Sequence, residues 1–178
     1  MRKKKTAESA KYDLGCGPNK IAPEWIGVDV RKFPGVDKVW DLRKRWPIKD
    51  ESADELHSSH FLEHLEPMDR IHFVNEAYRV LRPGCQIRII VPHWASARAY
   101  GDLTHKWPPV SEMWVNYLNK AWRAANAPHN DFYTCDFDSA GGHSMHPDLN
   151  ARNAEFQQYA MRWFKEACSD SIIILSKR

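Results

Sequence analysis

Short apolar runs closed by an acidic or polar residue recur through the first half of the chain. They are Ala10 to Asp13, Trp25 to Val30, Val36 to Trp40 and Ala53 to Ser59, followed by Gln86 to Val91, where four aliphatic residues surround a single Arg88. Runs of this length with turn residues between them predict strands. The first offers little apolar surface, and the fourth is less apolar than a strand buried on both faces normally is. Between the fourth and fifth, Ile71, Val74, Ala77, Tyr78 and Leu81 recur at three- and four-residue spacing behind Pro67, which predicts a helix over 67–81 closed by Arg82-Pro83-Gly84. Lys20 to Glu24 leaves room for little more than one helical turn, broken by Pro23.

Past Pro92 the pattern changes. After Pro108-Pro109, Ser111 can cap a helix whose apolar stripe is Met113, Trp114, Tyr117, Leu118, Ala121, Trp122 and Ala125. A sixth strand is expected over 131–137, a bend at Gly141-Gly142, a long helix over 150–167, and a closing strand over 171–175. Strand and helix in alternation predict an α/β fold with a doubly wound, mostly parallel sheet. Ligands of such sheets bind beyond the carboxyl ends of the strands, so the loops after Asp13, Asp29, Trp40, Ser59 and Val91 should share one mouth.

With 178 residues, 43% of them hydrophobic, the chain can bury one core, which sets a single domain over 10–178. The formal charge of +3 owes much to Arg2-Lys3-Lys4-Lys5, read as part of a disordered basic tail over 1–9, and is too small to argue for a nucleic-acid partner. No run approaches the roughly eighteen apolar residues of a membrane span, and no apolar stretch follows the basic start as in a signal peptide. Four cysteines without CxxC spacing read as reduced thiols of a cytoplasmic protein.

Tyr12-Asp13-Leu14-Gly15-Cys16-Gly17-Pro18-Asn19-Lys20 places two glycines behind a strand, where the backbone can turn beneath a ligand that a side chain would exclude. Asp29 then ends the second strand, where nucleoside-binding folds carry a ribose-binding acid. This stretch, IGVDV at 26–30, the run WDLRKRWPIKDESADELHSSHFLEHL at 40–65 and VLRPGCQIRIIVPH at 80–93 together resemble the class I S-adenosylmethionine-dependent methyltransferases, in particular the small "type 11" kind. The resemblance implies a Rossmann-like, seven-stranded sheet whose last two strands form an antiparallel hairpin, here with a helix inserted in the connection. It implies S-adenosyl-L-methionine as cofactor, with Asp13 at its methionyl end and Gly15, Cys16, Gly17 and Asn19 forming the loop. Asp29 and Val30 would then meet the ribose, Asp41 and Leu42 the adenine, and Ser59 and His60 the methyl donor. Asn19 departs from the family, which commonly has glycine there; asparagine is the residue that best replaces glycine at positive φ.

Methyl transfer is an in-line displacement that depends on alignment, and a histidine can take the acceptor's proton. The candidates are His93, directly after the fifth strand, and His105 in Gly101-Asp102-Leu103-Thr104-His105, a segment resembling one found after the fifth strand of some methyltransferases. The tryptophan-rich stretch 94–128 is read as an insertion after the fifth strand that forms a substrate lid, with Trp94, Asp102, Trp107 and His143 toward the acceptor. Cys135, His143 and His146 lack an obvious fourth ligand for zinc, so no metal is expected. A small-molecule acceptor is favoured. RNA or protein is the alternative, since Arg98, Tyr100, Lys106, Trp107, Lys120, Trp122 and Arg123 interleave charge with rings. A non-catalytic protein that keeps the fold is the rival from another class. An NAD-dependent oxidoreductase is disfavoured because Lys20 stands where the last fingerprint glycine belongs.

Overall fold

The computed structural model describes residues 10–178; the basic tail expected over 1–9 lies outside them. The strands are β1 (Lys11–Leu14), β2 (Ile26–Asp29), β3 (Lys38–Val39), β4 (Ala53–Ser59), β5 (Leu81–Pro92), β6 (Phe137–Met145) and β7 (Cys168–Lys177). The helices are α1 (Pro67–Val80), α2 (Arg98–Gly101), α3 (Lys120–Asn126), α4 (Pro147–Asn150) and α5 (Ala154–Trp163), with 3-10 turns at Leu62–His64 and Glu112–Leu118. One seven-stranded sheet runs β3-β2-β1-β4-β5-β7-β6. The first five strands pair in parallel, and β7 lies antiparallel between β5 and β6. The chain leaves β1 toward β2 on one side and returns to β4 on the other, so a topological switch point opens at the carboxyl end of β1.

The connections from β1 to β2, β2 to β3 and β3 to β4 contain turns and no helix; for the first, the spacing around Pro23 left room for little more than one helical turn. The longest of them is anchored instead by Trp46, which is almost fully buried, stacks edge-on against Phe73 of α1 at 5.1 Å and donates its ring N–H to Leu42. Glu76 of α1 accepts the Trp46 backbone N–H at 2.7 Å and is held by Arg79. Helix α1 covers the sheet with Phe73, Val74, Ala77 and Val80, which meet Leu14, Val28, Leu56, Ile87 and Leu175 in one core. No helix among the described residues is long and apolar enough to cross a membrane.

Four expectations are corrected. The sixth strand is not 131–137 but Phe137–Met145, so Gly141 and Gly142 lie within a strand rather than at a bend. β6 is an exposed edge strand ordered by pairing with the apolar β7, which its own composition does not announce; at Gly141 a Cβ would fall 2.1 Å from the Ile172 carbonyl oxygen. The long helix over 150–167 becomes α4 and α5, because Asn153 accepts the Phe156 N–H and starts a new helix. The helix expected behind Ser111 is a 3-10 turn followed by α3, reset by Asn119 accepting from Trp122. Finally, β5 begins at Leu81, and Arg82-Pro83-Gly84 lies within that strand where its pairing with β4 shifts register.

Candidate cofactor and acceptor site

The loop behind β1 is built from backbone hydrogen bonds. The Gly15 and Cys16 N–H groups both donate to the Val28 carbonyl, and the Gly17 N–H donates to Asp29 Oδ2 at 3.0 Å. Gly15 has φ +73 and packs so closely under Phe61 that a Cβ there would come within 2.3 Å of the ring. Gly17 likewise has positive φ, +53. Asn19 does not, so its tolerance of that conformation is not what suits it to the loop. Asp29 also accepts the Arg31 N–H through Oδ1. A carboxylate has about four lone-pair sites, so both of its oxygens keep acceptor capacity.

Asp13 is 3% exposed, with Oδ1 2.8 Å from His57 Nδ1 and Oδ2 accepting the Ile21 N–H. It ties the loop's far end to β4. Cys16 is half-buried, and burial together with Asp13 and Asp29 pushes its thiol up to about 11. Val30 is exposed. The Arg43 guanidinium grips Asp41 and holds its carboxyl below the ordinary range, while Leu42 faces the core. Ser59 ends β4 half-buried. His60 follows in the left-handed region at φ +51, its N–H bonded to the Ile90 carbonyl and its ring between Glu63 and Asp170. A strained non-glycine residue at the switch point is a feature concentrated at functional sites.

On the other side of the mouth, Glu112 is the hub, and sequence reasoning missed it. Its Oε1 lies 3.0 Å from His93 Nε2 and 3.1 Å from His143 Nε2, and it accepts the Ser171 hydroxyl; Oε2 accepts the Trp94 ring N–H at 2.8 Å. Hydrogen bonds from the two histidines hold the Glu112 carboxyl far below its usual range, although desolvation works in the opposite direction and is the largest influence. His93 is 3% exposed, and its Nδ1 accepts the Ala95 N–H. In the neutral ring the proton therefore sits on Nε2, which donates to Glu112. That tautomer has no lone pair to give a metal at Nε2, so the three side chains form a hydrogen-bonded brace.

His105 is half-buried, with Nδ1 3.1 Å from the Ala99 carbonyl. Asp102 accepts the N–H and hydroxyl of Thr104. Trp107 is 75% exposed and Trp94 44%. Trp94, Ala95, Ser96, Tyr100 and Gly101 line one wall of an open cleft of about 650 Å³, and Met161, Trp163, Phe164 and Glu166 line the other. Asp102, Trp107 and His143 are not among its lining residues. Cys135 is buried, His146 caps α4 and His143 binds Glu112, so the structure does not bring these three together.

The sheet order, with β7 antiparallel between β5 and β6, is that of the class I methyltransferases. Residues 38–89 match the family described as "Methyltransferase domain", a stretch that begins after the glycine loop. A SAM-dependent methyltransferase from Archaeoglobus fulgidus superposes with a TM-score of 0.68 at 20% identity, covering 96% of this chain and 87% of that one. The Burkholderia thailandensis 1,6-didemethyltoxoflavin-N1-methyltransferase, solved with 1,6-didemethyltoxoflavin and S-adenosylhomocysteine, gives 0.58 at 12% identity, covering 95% and 71%. An S-adenosylmethionine-dependent methyltransferase from Mesorhizobium loti gives 0.54 at 15%, covering 94% and 90%. No curated protein matches the chain in sequence. The chain thus has the class I methyltransferase fold, with that family's sequence pattern over its central strands.

Proposed function

We propose that the chain is an S-adenosylmethionine-dependent methyltransferase acting on a small molecule. The observation that carries this reading is the bond from the Gly17 N–H to Asp29, which spans the mouth between β1 and β2 and leaves a carboxylate with spare acceptor capacity beside the open face of Gly17. Asp29 would hold the ribose, with Val30 beside it; Gly15, Cys16 and Gly17 would pass under the methionyl portion; the Asp41–Leu42 segment would meet the adenine, and Ser59 and His60 the donor end. Asn19 follows in the same loop. Asp13, which unlike Asp29 is buried as well as bonded through both oxygens to His57 and Ile21, acts as a positioning residue for this loop. The cofactor supplies an electrophilic methyl group, and the chain's task is to hold an acceptor in line with it.

The cleft beside Trp94 has a size suited to a small ligand. The residues an RNA reading needs are largely spent elsewhere: Arg123 is 7% exposed and donates to the carbonyls of Tyr117, Tyr133 and Cys135, while Arg98 pairs with Asp170 and Lys106 with Glu66. His93, with both ring nitrogens engaged, holds the end of β5 and is a positioning residue in this reading. A cytoplasmic setting, read from cysteine spacing in the sequence, belongs to this proposal.

Asp29→Asn tests the assignment, because it preserves shape and removes the charge that strengthens a hydroxyl–carboxylate bond. Affinity for S-adenosylhomocysteine should fall about tenfold or more, equivalent to about 1.4 kcal/mol, with the melting temperature little changed. Unchanged affinity would remove Asp29 from the site.

A further inference from the structure

Glu63, His64 and His105 stand together on two segments far apart in the sequence, each offering a ligand atom within 4.8 Å of the others'. Glu63 and His64 belong to the 3-10 turn behind β4, and His105 to the loop after α2. Glu63 is 5% exposed, and its Oε2 is buried without a hydrogen-bond partner among the described residues. A buried carboxylate oxygen with nothing to accept is costly and calls for a cation or a donor.

The hydrogen-bond partners of the two rings decide their protonation. His105 Nδ1 faces the Ala99 carbonyl, which only accepts, so Nδ1 carries the proton and Nε2 keeps a lone pair in the neutral ring. Thr104 Oγ1 touches both Asp102 Oδ1 and His64 Nδ1. The ionised Asp102 takes the single hydroxyl proton, so His64 Nδ1–H donates to Thr104 and His64 Nε2 also keeps a lone pair. Histidine metal ligands are oriented in this manner, by a carbonyl or a carboxylate-linked donor on the opposite ring nitrogen. The brace of His93, Glu112 and His143 fails that requirement, because the Ala95 amide occupies His93 Nδ1 as a donor.

The two segments are also held in register. Buried Arg70 donates to the carbonyls of Leu62, Glu63 and Leu65 on one side and of Lys106 and Pro108 on the other, and the Lys106 N–H donates to the Glu63 backbone carbonyl at 2.7 Å. The cluster is therefore built into the fold.

We propose that Glu63, His64 and His105 form a binding site for a divalent transition-metal ion, zinc fitting the two-nitrogen, one-oxygen donor set best. The ligand atoms already lie within 4.8 Å of one another, so reaching the roughly 3.3 Å spacing set by zinc bonds of about 2.0–2.1 Å needs only side-chain rotations. Asp102 Oδ2, 3.9 Å from His105 Nε2, is available as a fourth ligand. This assignment departs from the expectation of no metal and gives His105 a role other than general base.

The test is titration of the tag-free, chelator-stripped protein with Co²⁺, followed by its visible absorption, with Zn²⁺ as competitor. One equivalent should bind with a four-coordinate spectrum, and Zn²⁺ should displace it. His105→Gln and Glu63→Gln should abolish that spectrum. Thr104→Val, which leaves every ligand in place, should weaken binding about 10–100-fold, and His143→Gln should leave it unchanged. No bound Co²⁺ in the native protein, binding that survives His105→Gln, or loss on His143→Gln instead would overturn the proposal. S-adenosylmethionine affinity is measured separately and bears on neither outcome.

Discussion

Glu112 joins β5, β6 and β7 through one carboxylate, and its ionisation should therefore be visible in folding. Its folded-state pKa lies below the ordinary value of 4.5, so the stability it contributes is fully present above about pH 4.5 and is lost as pH falls through the folded value. Glu112→Gln should destabilise the protein by about 1–2 kcal/mol at neutral pH, a figure discounted for the side chain's 44% exposure. Urea melts across pH should show the gap to wild type narrowing below pH 4.5; a gap independent of pH would mean that the charge is not what matters. Asp13, Gly15, Gly17 and Asp29 could be picked out from the sequence because their loop is local and their spacing fixed. Glu112 could not, since His93, His143 and Ser171 reach it only through the sheet.

At the scale of elements, the chain replaces helices with plugs. Trp46 fills the place beneath the helix-free β3–β4 connection, against Phe73 and under the Glu76 carboxylate. Trp46→Ala should cost about 3–5 kcal/mol, read as a lowered denaturation midpoint, and a loss below about 1 kcal/mol would show that the connection is anchored elsewhere. Strands β1 to β4, β5 over 86–91, and α1 were readable because apolar spacing and proline placement agree with what the sheet requires. The edge strand β6 was not: residues 138–142 are exposed, and β7 supplies the order that DSAGG lacks. Asn119 and Asn153 broke two helical stripes by a different route. Each satisfies the first backbone N–H groups of a new helix, a local bond that competes with continuing the old one. Within α5 only Ala160 is buried, while Tyr159 and Trp163 remain exposed.

At the scale of the whole molecule, the switch point between β1 and β4 brings the glycine loop, Asp29, Asp41, Ser59 and His60 to one edge of the sheet. That convergence was readable in outline from the order of four motifs, and Trp94 was singled out with it, while the Glu112 hub and the α5 wall of the cleft beside Trp94 came from the fold. The central claim is that this edge holds S-adenosylmethionine, and calorimetric titration of the purified chain with S-adenosylmethionine and, separately, S-adenosylhomocysteine tests it most directly. One site per chain with micromolar affinity, about −8 kcal/mol, is the predicted result. Absence of binding by both ligands to the folded chain would contradict the claim and leave the fold serving a purpose other than methyl transfer.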